Sequence, residues 1–392
     1  MVFPFDMIPP DSQDSATPIL TVAIPVFNRE RELMRMLDSI DAQDWSAMEV
    51  RLGDDGSTDG TPRVLEAFAA KHPGRVFIDS HENMGPGPCR NRLLDQAAGE
   101  WIWFCDSDDE LAPGAVARIT EILKRSPADV LAFLYGRGPC PRTEEETLLA
   151  LPDVPVTRSQ LLLFVLGANV AKVLRVGLLR DNHISYRAFR IGEDWIFTAE
   201  AVSRCDTALV WEARPYWVLN GFWNESGENH LTGCIDDAYC DAATRALRVL
   251  ADIQDRHPAE RMEFAVYRWY LAFFLRDRIR DKALPDIRDK WLPVAEELLR
   301  DITEAVDNPL LRFPKSIMAL SAATKTLAKE RRLALRRERM ALRRERMALR
   351  RQRAALRREQ SMKDSLSWHL TLPLRVVGRL VGLLRRSLPD KT

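Results

Sequence analysis

Between residues 20 and 135 the chain alternates short β-rich runs with stretches of helical length, and few folds accept that rhythm. The apolar runs cover 20–26, 49–53, 75–79, 101–105 and 129–135, and helix-like segments lie near 29–43, 59–72, 87–98 and 113–125. Strands that alternate with helices of this length build βαβ units around a mostly parallel sheet, so the fold class is α/β. Helix starts are marked. Asp59 is placed to cap the helix that begins near Thr61-Pro62, and Pro113 precedes the next but one.

Three of these runs end in groups able to carry chemistry. The first ends in Pro25-Val26-Phe27-Asn28, the second in Asp54-Asp55-Gly56-Ser57-Thr58-Asp59, and the fourth in Asp106-Ser107-Asp108-Asp109. In open α/β sheets, ligands bind beyond the carboxyl ends of the strands, where all three groups fall. Carboxylates gathered at short range repel one another and need a cation. Oxygen-only donors select a hard divalent ion, Mn²⁺ or Mg²⁺, of the kind that also binds a substrate's phosphates. A single Asp-rich loop is also ordinary turn chemistry; two of them at strand ends in one alternating sheet argue for a site. A dinucleotide-binding oxidoreductase would need GxGxxG after the first strand, where Asn28-Arg29-Glu30 stands instead.

At these residues the sequence resembles the family 2 glycosyltransferases, which have the GT-A fold, and in particular those of bacterial surface-polysaccharide assembly. The resemblance rests on TVAIPVFNRERELMRMLDSIDAQ, RLGDDGSTDGT, NMGPGPCRNRLLDQAAGEWIWFCDSDDEL and AKVLRVGLLRDNHISYRAFRIGEDWIF, and covers about residues 18–235. It implies that Pro25, Phe27, Asn28 and Asp55 line a nucleotide pocket with Asp54 beside them. It places Arg90 near the base or phosphates, Asp106 on the ribose and Asp108 on the metal. It makes Asp194 the catalytic base of an inverting transfer from a nucleotide-sugar, a UDP-sugar being favoured, to a hydroxyl of a glycan or lipid-linked acceptor. Glu193 and Trp195 flank that base. Asp194 also reads as a helix-cap acid. His230 reads either as a contact to metal or diphosphate, or as an ordinary surface residue.

The roles make physical sense. A nucleoside diphosphate leaves poorly until its charge is neutralised, which a Lewis-acid metal does. The acceptor hydroxyl is a weak nucleophile and needs one carboxylate within hydrogen-bond reach.

Composition sets the outer bounds. No run of 18 apolar residues occurs, residues 1–15 are acidic and proline-bearing, and the six cysteines show no CxxC spacing. A cytoplasmic chain with free thiols is therefore expected. The formal net charge is zero, yet residues 330–392 carry 19 Lys and Arg against 6 Asp and Glu. The rest of the chain is correspondingly acidic, so the basic segment has its own task.

That segment opens with a seven-residue repeat, ALRRERM-ALRRERM-ALRRQRA-ALRREQS, with Leu335, Leu342, Leu349 and Leu356 in phase. The composition predicts a long helix that self-associates as a coiled coil, docks on an acidic partner, or stands alone in solvent. After Pro373, Val377, Leu380, Val381, Leu384 and Leu388 share one helical face, with arginines opposite. Such a helix suits the interface of the inner membrane surface, or packs on the body. No nucleic-acid partner is expected, because the repeat lacks interleaved aromatics. The expected organisation is a disordered segment 1–17, a GT-A catalytic domain 18–235, a helical extension 236–315, a heptad helix 316–362 and an amphipathic membrane-associating tail 363–392. A non-catalytic GT-A-like scaffold acting through that tail is the alternative.

Overall fold

The computed structural model describes residues 17–305, apart from 126, 139, 142, 144–153, 159–160, 163–168, 190 and 219–234. The expectations for residues 1–16, His230, the heptad helix and the amphipathic tail lie outside the described residues.

The elements, in chain order, are Leu20–Val26 (β1), Glu32–Asp41 (α1), Met48–Asp54 (β2), Thr61–Lys71 (α2), Val76–Ser80 (β3) and Pro86–Gln96 (α3). Trp101–Phe104 (β4), Glu110–Leu111 (β5), Ala115–Arg125 (α4), Val130–Arg137 (β6) and Val154–Val156 (β7) follow. Then come Lys172–Arg175 (β8), Val176–Asp181 (α5), Glu193–Arg204 (α6) and Ala208–Val218 (β9). Three long helices close the described chain: Asp237–Arg256 (α7), Arg261–Lys282 (α8) and Pro285–Ala305 (α9).

Nine strands form one sheet in the order β3-β2-β1-β4-β8-β6-β9-β5, with β7 on β9. The half from β3 to β4 is parallel throughout. Beyond it the sheet is mixed: β8 runs antiparallel to both β4 and β6, whereas β6 and β9 are parallel. The strand WIWF of β4 is buried at all four positions, as a central strand covered on both faces must be.

One face of the sheet packs on α1, α2 and α4, where Leu33, Met36, Leu65, Phe68, Val116 and Ile119 meet Leu20, Val22, Trp101 and Trp103. On the other face α3 lies over β1 and β2. The α6 side chain Phe197 meets Phe104 edge-on at 5.8 Å on that same face. Helix α8 is apolar on more than one side because it packs against both α7 and α9. Among the described residues no helix is long and apolar enough to cross a membrane.

The parallel register has one consequence for function. Val26 stands opposite Asp54, and Ala23 opposite Phe104, so the polar turn after β1 and the acidic turns after β2 and β4 share the carboxyl end of the sheet.

Candidate active site

The turns after β1 and β2 are laced together by short polar side chains. Asn28 sits at φ 49°, a left-handed conformation that Asn tolerates better than most residues. Its Oδ1 accepts the Thr58 N–H at 2.8 Å, and its own N–H donates to Ser57 Oγ at 2.9 Å. Asp54 Oδ1 accepts the Ser57 N–H at 3.0 Å. Asp59 accepts the N–H groups of Thr61 at 2.9 Å and Glu30 at 3.2 Å, so it holds the start of α2 from one residue before the N-cap, which is Gly60 and not Asp59. Gly56 turns at φ 78°, and a Cβ there would lie 2.8 Å from the Asn83 nitrogen.

The two neighbouring aspartates do different work. Asp55 is an anchor: its carboxylate accepts the N–H groups of Met84 at 2.8 Å and Gly85 at 2.9 Å, with His81 Nδ1 at 3.4 Å. It thereby fixes the chain that leads into α3. Asp54 is also buried, at the end of β2. Pro25 is half-buried on β1, and Phe27, just past the strand, is 44% exposed. A large aromatic left open beside an acidic turn gives a planar ligand a stacking surface.

Arg90, buried on α3, reaches two carboxylates from different elements. Its Nη2 donates to Asp106 Oδ1 at 2.9 Å, and its Nη1 to Glu193 Oε1 at 3.4 Å. The guanidinium also lies 5.3 Å from the centre of the Tyr186 ring. Arg90 is thus committed to side chains that the sequence reading assigned separately. Asp106 stays 41% exposed at its side chain despite the ion pair. Its backbone N–H donates to the Tyr216 hydroxyl at 2.8 Å, and that hydroxyl donates to Asp109 Oδ2 at 2.8 Å. Tyr216, on β9, is fully buried, so the turn carrying Asp106, Ser107 and Asp108 is held from behind. Asp108 is half-buried on that turn.

Glu193 and Asp194 occupy the first turn of α6, where the helix dipole favours negative charge. Gly192 before them adopts φ 86°, and a Cβ there would come 2.6 Å from Ala246 Cβ on α7. Glu193 is buried, whereas Asp194 keeps part of its surface open. Both carboxyls are pushed above the usual carboxylate range, by burial first. The Asp194 charge raises Glu193 further, whereas Arg90 and then Lys172 pull Asp194 back down. Trp195 is only 7% exposed, and its carbonyl accepts the Tyr267 hydroxyl of α8 at 3.3 Å, so it belongs to the packing of α6.

Two participants escaped the sequence reading. Tyr216 carries no local signal, because its role depends on β9 returning beside β5 and β6. Lys172 did leave one: it is a charge inside the apolar strand Lys172–Arg175, and it is almost wholly buried.

Residues 21–170 match the family described as glycosyl transferase family 2. That stretch is a domain similar to those of the family 2 glycosyl transferases. That domain supplies the turns after β1, β2 and β4, and α6 lies beyond the matched stretch. The poly(ribitol-phosphate) beta-N-acetylglucosaminyltransferase TarS of Staphylococcus aureus is 25% identical over 313 residues, which is 76% of this chain and 53% of that protein. A poly(ribitol-phosphate) beta-glucosyltransferase of Bacillus spizizenii is 31% identical over 208 residues, 51% of this chain and 32% of its own length. The chain therefore spans about half the length of the first relative and a third of the second. The crystal structure of S. aureus TarS 1-349 with UDP-GlcNAc matches with a TM-score of 0.56 at 21% identity, covering 76% of this chain and 87% of that one. That likeness gives the fold as GT-A.

Proposed function

We propose that this chain is an inverting, metal-dependent glycosyltransferase that moves a sugar from a UDP-sugar to a hydroxyl of a surface glycan or its lipid-linked precursor. The observation that carries the reading is the convergence of Asp194, Glu193 and Asp106, from two distant parts of the chain, around Arg90. A carboxylate base facing a nucleotide-binding edge is the minimum a single displacement needs.

In this reading Phe27 and Pro25 flank the nucleobase, Asn28 and Asp54 shape the pocket, and Asp106 holds the ribose. Asp55 serves by fixing residues 81–85 rather than by touching the donor first. Asp194 accepts the proton of the acceptor hydroxyl as its oxygen bonds to the anomeric carbon. The bond from that carbon to the diphosphate breaks on the opposite side, so the configuration inverts. The burial that raises the proton affinity of Asp194 makes it a better base than an exposed aspartate.

The turn after β4 offers oxygen donors only, and Asp106 is open to solvent there, which suits a hard divalent ion; among the described residues no three ligating side chains cluster, so the donor diphosphate would complete the shell. Asp108 would hold Mn²⁺ or Mg²⁺, which supplies charge neutralisation of the departing diphosphate. The acceptor class follows from the relatives, whose names specify poly(ribitol-phosphate). The basic segment 330–392 would tether the enzyme to the inner face of the cytoplasmic membrane, where a lipid-linked acceptor is confined. Self-association through the heptads is part of the same proposal.

The test is a thermal-shift screen of UDP-, GDP- and dTDP-sugars with Mn²⁺, followed by a transfer assay on poly(ribitol phosphate). Stabilisation by UDP-sugars and transfer with inversion support the reading. No stabilisation by any nucleotide-sugar overturns it.

A further inference from the structure

Lys172 is the deepest cation in the body of the sheet, at 1% exposed, and the mechanism above gives it no task. A buried ammonium costs several kcal/mol unless something repays it, so its position calls for an explanation. The register of β8 supplies the geometry. Trp103 pairs with Val173 and Ile102 with Leu174 in antiparallel register, which continues to place Lys172 beside Phe104. Val173 and Trp103 belong to the core on the α1–α2–α4 face. Side chains alternate along a strand, so Lys172 and Phe104 project to the other face. Phe104 meets Tyr186 at 5.2 Å and Phe197 of α6 at 5.8 Å on that face. Lys172 therefore lies beneath the helix whose first turn carries Asp194.

Among the described residues, the surroundings of Asp194 hold few sources of positive charge. Arg90 approaches from α3, but it is bonded to Asp106 and Glu193. Tyr186, Tyr239 of α7 and Tyr267 of α8 bring phenols that feel the Asp194 charge, Asp106 brings negative charge, and the Glu193 carboxyl beside it is raised by the Asp194 charge. Arg278 of α8 stands over the Tyr239 ring at 5.6 Å. Lys172 is the cation on the sheet side whose charge acts on Asp194.

We propose that Lys172 is a positioning residue that keeps the Asp194 carboxylate ionised as a base from the sheet side of α6. Burial and the Asp106 carboxylate would otherwise hold a proton on Asp194 near neutral pH and leave it unable to accept one. The buried lysine is itself pulled down to about 7, by burial first and against the Asp194 charge, so the pair is poised close to neutrality.

This rests on the reading of Asp194 as the base. The experiment compares wild type with Lys172→Met, Lys172→Gln and Lys172→Arg in the full chain. It follows release of UDP from UDP-GlcNAc and UDP-glucose with Mn²⁺, in water and with poly(ribitol phosphate), from pH 5 to pH 9. Asp194→Asn runs alongside. Removing a neighbouring opposite charge raises a carboxyl by about 1 pH unit, so the acidic limb of kcat moves up by that amount in the Met and Gln variants. Lys172→Arg keeps the limb near its wild-type position, and KM for the donor stays within about threefold, since Lys172 touches no part of it.

A neutral variant that folds and keeps the wild-type limb overturns the proposal. So does a limb that moves equally in Lys172→Arg. Misfolding of both neutral variants while the Arg variant folds also overturns it, because the ammonium is then holding the fold rather than the base. If Asp194→Asn itself turns over normally, the assignment of the base falls, which is a different failure.

Discussion

The guanidinium of Arg90 donates to the Asp106 carboxylate at 2.9 Å, joining α3 to the turn after β4. Through its other nitrogen the same group reaches Glu193 at 3.4 Å, the residue before the proposed base. A flat, rigid fork of donors suits this double duty better than an ammonium would. Arg90→Lys is expected to keep the charge but lose one of the two contacts, and to lower kcat at least tenfold. Arg90→Met removes both hydrogen bonds and should destabilise the fold by about 2 kcal/mol. Chemical denaturation and initial rates on the same preparations check both.

Asp194→Asn retains shape and loses the basic lone pair. Transfer should fall by a factor of about 100 or more, because general-base help is of that size. Donor binding, read by thermal shift with UDP-GlcNAc and Mn²⁺, should persist. Near-normal turnover would assign the base elsewhere.

Metal dependence is expected to run through Asp108. Chelation should abolish transfer, and Mn²⁺ or Mg²⁺ should restore it. Asp108→Ala should weaken donor binding when metal is present and leave the residual metal-free binding unchanged. Isothermal titration in chelator and in Mn²⁺ distinguishes this from a general loss of fold, which would reduce both.

The carboxyl of Glu193 is raised in the folded chain, by burial first and then by Asp194. The folded state keeps this proton where the unfolded chain has released it, so stability declines as pH climbs above the ordinary glutamate value of 4.5. Glu193→Gln removes the charge and should flatten that decline. Its melting temperature is expected to exceed that of wild type at pH 8, with the gap closing toward pH 5. Lys172 contributes the opposite slope from about 7 upward, and it does so equally in both proteins. A constant gap at all pH values would contradict the prediction.

Gly192 holds φ 86° at the start of α6, and a Cβ would meet Ala246 at 2.6 Å. Gly192→Ala is therefore strained twice, by backbone and by contact. It should cost about 1–3 kcal/mol of stability and tilt the first turn of α6, lowering kcat more than donor affinity. Thermal melts and donor titration check the two halves separately.

The parallel half of the sheet and its turns were legible in the sequence because their signals are local. The runs 20–26 and 101–105 carry their apolar pattern within a few residues, and β1 and β4 fall within one residue of them. DDGSTDG announces its own turn, and Asp54 and Asp59 make the short-range bonds that such residues make, to the N–H groups of Ser57 and Thr61. The second half of the sheet was not legible. Nothing near Lys172–Arg175 says that this strand inserts against β4 in reverse, and β7 is three residues long. The ion pairs of Arg90 span 16 and 103 residues, so no spacing rule reaches them. Asp55 looked like a ligand by its place in the motif, whereas its oxygens hold backbone nitrogens at Met84 and Gly85.

Strand β8 fills the gap between β4 and β6, although it is made some 70 residues after β4. As the chain leaves the ribosome, β1 to β4 can assemble in parallel, but the outer edge of β4 stays open until Lys172 and its neighbours arrive. That edge is the apolar strand WIWF, which offers unpaired backbone groups to any other strand it meets. The stretch 21–170 that carries the family signature is therefore not a unit that can be cut out and expressed. A fragment stopping there would leave its hydrophobic seam uncovered, and its yield would depend on chaperones rather than on sequence.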